Sequence, residues 1–243
     1  MKIGFWNVER LSDGTDEDRK TAIKTVFGGI SPDYALFCEL TTQCKFPKPW
    51  PLTYRKQSSS LLCYGCLDSN RKDVKQLDAY LPDVTDDYRN ANRKGGTDFR
   101  NLADRAVGHL GNVAGVEVFV IHAPAGSSSA QKAVAFLACH LNYTYNNKAW
   151  LVIGDLNVEP EDLVKVPVGI NLSDLILNTG EKTHIGKLRR IRKARGGEVG
   201  LLQGRDTELD YALCNFKNNA RIARIRCSPR HHGSDHYPIV VEF

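Results

Sequence analysis

The chain has 243 residues, 42% hydrophobic and 25% charged, and a formal net charge of +5. That length allows a substantial core, and the composition is ordinary for a soluble globular protein. No run approaches the roughly 20 apolar residues of a membrane span, and "MKIGFWNVERL" reaches Glu9 and Arg10 too soon for a signal peptide, so a cytoplasmic protein is expected.

No Pro/Gly/Ser linker divides the sequence, which predicts one domain over residues 1–243. Seven cysteines, an odd number, favour a reducing setting. Cys63 and Cys66 form a lone CxxC with no second pair at zinc-finger spacing, and read as two small apolar residues near a strand. The charge is uneven. From Glu161 to Phe243 there are 14 Lys/Arg and 10 Asp/Glu, against 19 and 18 before them. The basic excess therefore sits mostly in the last third and hints at a polyanionic partner.

In chain order, Lys2 to Val8 alternates as a strand, with Ile3 and Phe5 on one side and Gly4 and Trp6 on the other. Asp16 to Phe27 has a helical apolar stripe, stopped by Gly28-Gly29 and turned at Pro32-Asp33. "YALFCEL" (34–40) and "SLLCYGCL" (60–67) are strands. Asp68 to Asn101 is too polar to assign. Arg105 to Leu110 and Val116 to His122 form a strand pair with Gly111-Asn112 near its turn. Residues 128–145 are a helix, "AWLVIGDL" (149–156) is a strand, and a short helix starts near Pro160. "ELDYALC" (208–214), Arg221 to Cys227 and "YPIVVEF" (237–243) complete the strands. Many strands with few helices predict an α/β (α+β) protein with largely antiparallel sheets.

These strands end in, or carry, conspicuous polar residues. Asn7 follows "IGFW", Glu39 follows "ALFC", and His122 follows "VFVI". Asp155 and Asn157 follow "LVI", Asp210 sits in "ELDYAL", and Asp235-His236 precede "YPIVVEF". Singly, each is an ordinary strand cap or turn residue. Brought to one edge of packed sheets, they would form a pocket suited to a hard divalent cation and to attack on phosphorus.

The ordered series "FWNVERL", "ALFCEL", "VIHAP", "VIGDLNVEP", "ELDYAL" and "SDHYPIVVEF" resembles the endonuclease/exonuclease/phosphatase superfamily, the DNase I-like fold, from residue 3 to residue 243. Within it, "RAVGHLGN…VFVIHAPAG" and "ELDYAL…SDHYP" are similar to the nuclease subunits of cytolethal distending toxins (CdtB). The resemblance implies a two-layer β-sandwich flanked by α-helices, with a Mg²⁺-dependent phosphoesterase site at one end. Mn²⁺ or Ca²⁺ could replace Mg²⁺.

By the same resemblance, Glu39 is the principal cation ligand, assisted by Asn7 and completed by Asp235. His236 acts on the attacking water or the scissile phosphate and is oriented by Asp210. Asp155 positions or deprotonates the water, Asn157 donates to a phosphate oxygen, and His122 protonates the leaving oxygen. Asp155 and Asn157 are expected to face the site together, as residues two apart in an extended segment, with Leu156 turned to the core. Arg105 matches a phosphate-binding arginine. The nucleases also pair the second histidine with a glutamate before Arg105, which no residue among Asp68 to Asp104 visibly supplies.

"KLRRIRKAR" (187–195) has six basic residues in nine, including Lys187, Arg189, Arg190, Arg192 and Lys193, and is expected as a loop holding duplex phosphates without reading bases. "THIG" (183–186) resembles a Thr-His segment near the family's site. His231-His232 read as a surface turn. The expected function is a Mg²⁺-dependent DNA endonuclease acting as a monomer. The rivals are a phosphoinositide phosphatase or sphingomyelinase, for which "KFPKPWP" (45–51) could touch lipid, and a non-catalytic binding module.

Overall fold

The computed structural model describes residues 1–11, 17–41, 43–45, 49–57, 60–68, 77–80, 107–186, 188–191, 200–227 and 234–243. Among the described residues the chain forms two six-stranded sheets and a two-stranded ribbon. The first sheet contains β1 (Lys2–Leu11), β2 (Tyr34–Thr41), β3 (Pro49–Gln57), β4 (Ser60–Asp68), β13 (Arg221–Arg224) and β14 (Ile239–Glu242), in the order β13-β14-β1-β2-β4-β3. The second contains β5 (Asp78–Tyr80), β6 (Val107–Val113), β7 (Val116–His122), β8 (Ala149–Asp155), β9 (Ile176–Leu177) and β12 (Asp210–Cys214), in the order β5-β6-β7-β8-β12-β9. The ribbon pairs β10 (Leu188–Ile191) with β11 (Gly200–Gln203).

Each large sheet is antiparallel except at its middle, where β1 pairs with β2 and β7 with β8 in parallel. A parallel pair needs a crossover, and a helix supplies each one. Helix α1 (Glu17–Ile30) joins β1 to β2, and α2 (Ser127–Thr144) joins β7 to β8. Alternation along the strands then builds three apolar layers. Ile3, Phe5, Leu36 and Tyr64 of the first sheet meet Val118, Val120, Leu151 and Ile153 of the second between the sheets. Trp6 and Phe37 turn outward onto Ile23 and Phe27 of α1. Phe119, Ile121, Trp150 and Val152 turn outward onto Val134, Leu137 and Leu141 of α2. β7 is buried at every position because it is covered on both faces.

Several expectations change. The first helix runs through Gly28 and Gly29 to Ile30 and ends where Ser31 takes left-handed backbone (φ 49°) before Pro32. Two glycines weaken a helix by about 1 kcal/mol each, less than packing on the sheet returns. The β6–β7 turn lies at Ala114-Gly115, while Gly111 (φ 89°) occupies an irregularity in the register between His109 and Gly111. Pro49 to Pro51, in the stretch suggested to meet lipid, belong to edge strand β3, a position that tolerates proline. Cys63 and Cys66 are buried in β4 three positions apart, and so on opposite faces. His231 and His232 lie outside the described residues.

Candidate active site

The parallel pairs decide where the polar residues go. β1 and β2 run the same way, so Asn7 and Glu39 leave the first sheet at one end, with Asn7 opposite Cys38 in register. β7 and β8 do the same for His122 and Asp155, which are direct partners. β12 runs antiparallel and starts at that end, with Asp210 opposite Asp155. β14 is antiparallel to β1, so Asp235 and His236 approach from the same side. The Trp6 indole donates to the His236 carbonyl at 2.8 Å and holds this approach.

Backbone irregularity aims the first pair. The register of β2 shifts against both β1 and β4 between Phe37 and Leu40, and Glu39 in that interval has φ 60°. A non-glycine residue there is strained, and such a bulge redirects a side chain. The Asn7 amide Nδ2 then donates to Glu39 Oε1 at 3.3 Å and across the sheets to Asp155 Oδ2 at 3.0 Å. Asn7, expected to assist the cation ligands, accepts the Glu9 N–H on Oδ1 at 3.0 Å, which leaves that oxygen a second lone pair. As oriented, Asn7 serves the two carboxylates as a donor.

His122 Nε2 lies 3.4 Å from Asp155 Oδ2 and 3.6 Å from Glu39 Oε1, while its backbone N–H donates to the Tyr64 hydroxyl at 2.8 Å. His236 Nδ1 meets Asp210 Oδ2 at 2.8 Å, and its Nε2 is 3.8 Å from Asp155 and 3.5 Å from Asp235. Two buried hydroxyls complete the frame: Thr183, from the Thr-His segment expected near the site, and Ser234, which sequence reasoning missed. Thr183 Oγ1 accepts the N–H groups of Leu209 and Asp210, at 3.0 and 2.9 Å. Ser234 Oγ donates to the Asn7 carbonyl at 2.7 Å and accepts the His236 N–H at 3.0 Å. Only the spacing of Ser234 before the Asp-His pair marked it in the sequence.

Asn157 reaches this end by a different route from the one expected. β8 stops at Asp155, and Asn157 has φ 51°, so strand alternation no longer applies. Its N–H donates to Asp155 Oδ1 at 3.1 Å and its Nδ2 to the Ala123 carbonyl at 2.9 Å. Leu156 is fully buried in the layer under α2. Arg105, Lys187, Arg192 and Lys193 lie outside the described residues. Arg189 and Arg190 are in β10, paired with Leu202 and Leu201. The expected loop is therefore in part a ribbon, rooted next to Gly186.

Asp155, Asp210, Asp235 and His236 are all buried. Burial pushes the Asp155 carboxyl up to about 7, and Asp210 and Glu39 add to the rise against the pull of His236 and Asn7. Burial opposes charge on His236 as well, but Asp210, Asp155 and Asp235 outweigh it and lift the imidazole to about 10. Four carboxylates, three imidazoles and the Asn7 amide thus share this end. Such a gathering in a poorly solvated place, made largely of oxygen donors, is chemically fitted to a divalent cation. Two groups, Asp155–Asp210–His236 and His184–Asp235–His236, bring their donor atoms within 4.8 Å of one another.

No family model and no curated protein sequence matches the chain. Solved structures do. The Haemophilus ducreyi cytolethal distending toxin superposes with a TM-score of 0.59 at 15% identity, covering 99% of this chain and 96% of that one. An endonuclease/exonuclease/phosphatase family protein from Bacteroides thetaiotaomicron gives 0.54 at 12% identity, over 99% and 96%. Truncated TDP2 from Caenorhabditis elegans gives 0.53 at 16% identity, over the same shares. The chain has the DNase I-like fold. Within this DNase I-like sandwich, the charged cluster occupies the strand ends that the two helical crossovers bring to one side. No helix among the described residues is long and apolar enough to cross a membrane.

Proposed function

We propose that the protein is a divalent-cation-dependent phosphodiesterase that cuts DNA internally. The observation that carries this reading is the convergence of Glu39, Asp155, Asp210, Asp235, His122 and His236 at one end of the sandwich. A structural neighbour described as an endonuclease/exonuclease/phosphatase supports phosphate-ester hydrolysis in general. The basic run 187–195, part of which forms a ribbon starting two residues after Gly186, favours a nucleic-acid substrate over a lipid.

Each side chain has a task in that reaction. Asp155, with a carboxyl near neutrality, takes a proton from a water on the face of the phosphorus opposite the leaving oxygen. Asn7 keeps Asp155 turned toward that water. Asp210 holds His236 by Nδ1, so Nε2 points at the pocket and the charged ring donates to a phosphoryl oxygen as negative charge grows there. His122 Nε2 lies within the same carboxylate pair and returns a proton to the leaving oxygen. Glu39 and Asp235 would hold Mg²⁺, which, when bound, offsets phosphate charge. Arg105 and the basic residues Lys187, Arg189, Arg190, Arg192 and Lys193 would anchor the flanking phosphates, leaving sequence unread.

The test is supercoiled plasmid with purified protein in Mg²⁺. Nicked circles should form, Mn²⁺ or Ca²⁺ should alter the rate, and EDTA should abolish the reaction. Undiminished hydrolysis in excess EDTA would remove the cation from the mechanism. Intact plasmid together with phosphate released from inositol lipids would move the substrate to phosphoinositides.

A further inference from the structure

The hydrolytic reading leaves His184 without a task, yet the fold positions it with care. Residue 184 bridges Thr207 on one side and His236 on the other. The His184 N–H donates to the Thr207 carbonyl at 2.9 Å, Thr207 N–H returns to the His184 carbonyl at 3.1 Å, and Ile185 N–H reaches the Asp235 carbonyl at 2.8 Å. These bonds clamp the segment against Asp235-His236. The two imidazole rings stand 4.8 Å apart.

Both rings are tethered in the same manner. His184 Nδ1 faces Thr207 Oγ1 at 3.1 Å, and His236 Nδ1 faces Asp210 at 2.8 Å. Both leave Nε2 for a third group, and both Nε2 atoms meet one carboxylate. His184 Nε2 is 3.5 Å from Asp235 Oδ2, and His236 Nε2 is 3.5 Å from Asp235 Oδ1. Metal-binding histidines are commonly oriented by an oxygen partner on the other ring nitrogen. Zinc bonds of about 2.0–2.1 Å to nitrogen or oxygen imply about 3.4 Å between donors of a tetrahedral site. The two nitrogen–oxygen separations are close to that edge, each to a different oxygen of the carboxylate, so closure on an ion turns Asp235 to present one oxygen to both rings. A two-nitrogen, one-carboxylate set suits Zn²⁺ or a similar late transition cation better than Mg²⁺.

We infer that His184, Asp235 and His236 form a second cation site, selective for a transition metal of the Zn²⁺ class and sharing Asp235 and His236 with the hydrolytic cluster. A fourth position is left to water. An ion there displaces the proton from His236 Nε2, takes the lone pair so freed, and draws Asp235 away from the hard-cation set. Zn²⁺ therefore inhibits hydrolysis supported by Mg²⁺. Binding stands independently of the phosphodiesterase reading, while inhibition rests on it.

The experiment uses chelator-treated, desalted full-length protein in excess Mg²⁺. Zn²⁺ is titrated by calorimetry, and Co²⁺ by the intense visible absorption of a tetrahedral site. One Zn²⁺ should bind per chain, and His184→Ala should weaken it at least about 100-fold. Thr207→Val, which keeps all three ligands, should weaken it by about 10–100-fold. In the unmutated protein, Zn²⁺ should shift the imidazole NMR signals of His184 and His236 and spare those of His109 and His140. This arm needs no folded variant. Unchanged affinity in His184→Ala, or shifts confined to the other histidines, would overturn the site. Zn²⁺ should also suppress plasmid nicking. A protein that binds Zn²⁺ through His184 but never cuts DNA would overturn the proposed function and leave this site standing.

Discussion

Strand β7 carries ionisable chemistry at both ends, and the two ends differ in balance. Near its start, Glu117 is matched oxygen by oxygen, with His109 Nε2 at 3.0 Å and Asn112 Nδ2 at 3.2 Å. His109 stacks on Phe119 with ring centres 4.4 Å apart, and Tyr80 shares a short contact of 2.8 Å with His140 nearby. At the other end, single imidazoles are shared between carboxylates, His122 by Glu39 and Asp155, and His236 by Asp155, Asp210 and Asp235. A buried network with its charges matched rigidifies a fold. Buried carboxylates that share a partner cost stability and persist where a ligand or a reaction uses them.

The largest effect should separate the two ends. His236→Ala should lower turnover at least about 100-fold, the usual scale for removing a group that handles protons. Its thermal stability should fall as well, because Asp210 is left buried without the imidazole that meets it at 2.8 Å. Glu117→Ala should act on stability alone. It strands His109 and Asn112, costs about 1–3 kcal/mol, and leaves turnover within about twofold. Plasmid nicking alongside thermal unfolding reads both quantities. Equal behaviour of the two variants would erase the contrast.

A smaller effect should come from the strand that links the cluster to the core. Gly154 is the cross-strand partner of Ile121, and a Cβ built on it would sit 1.9 Å from the Ile121 carbonyl oxygen. Gly154→Ala must push β7 and β8 apart one residue short of His122 and Asp155. Destabilisation of about 2–3 kcal/mol is expected, with a parallel loss of turnover. An alanine variant as stable as the parent would show that this close approach is not needed.

The smallest effect sharpens the electrostatic side. The folded Asp155 carboxyl is raised to about 7 from its ordinary 3.8, so the folded state binds its proton more tightly than the unfolded chain does. Stability from this group is complete below about 3.8 and is lost as pH rises through about 7. Asp155→Asn cannot ionise. In cation-free protein it should therefore melt higher than the parent by a few degrees, with the gap opening between about pH 4 and pH 7 and then levelling. A gap that does not depend on pH would contradict the strain assigned to Asp155.

The same contrast explains what could be read in advance. Ile3, Phe5, Val118, Val120 and Ile153 announce their inward faces by alternation, because a strand's side chains repeat every two residues. The polar residue at each strand end stood out against those runs. β3, β5 and β9 did not, being short or interrupted by proline and lying at or beside sheet edges, where little apolar pattern is required. The run of the first helix through Gly28-Gly29 was equally hidden, since packing outweighed local preference.

By itself, then, the sequence determined which strands have buried faces and which acids, amides and histidines stand at their ends. Those are local properties, carried by composition and period. Tertiary structure alone decided that these ends share one side, because that follows from two parallel pairs and their crossovers. It also set the bulge that turns Glu39, the left-handed turn that takes Asn157 out of alternation, and the placing of His184 against Asp235 and His236. Asn7 meets Asp155 across 148 positions of chain, and Trp6 meets His236 across 230. Contacts at such separations arise from sheet order and packing between layers, for which no local pattern of residues is a sign.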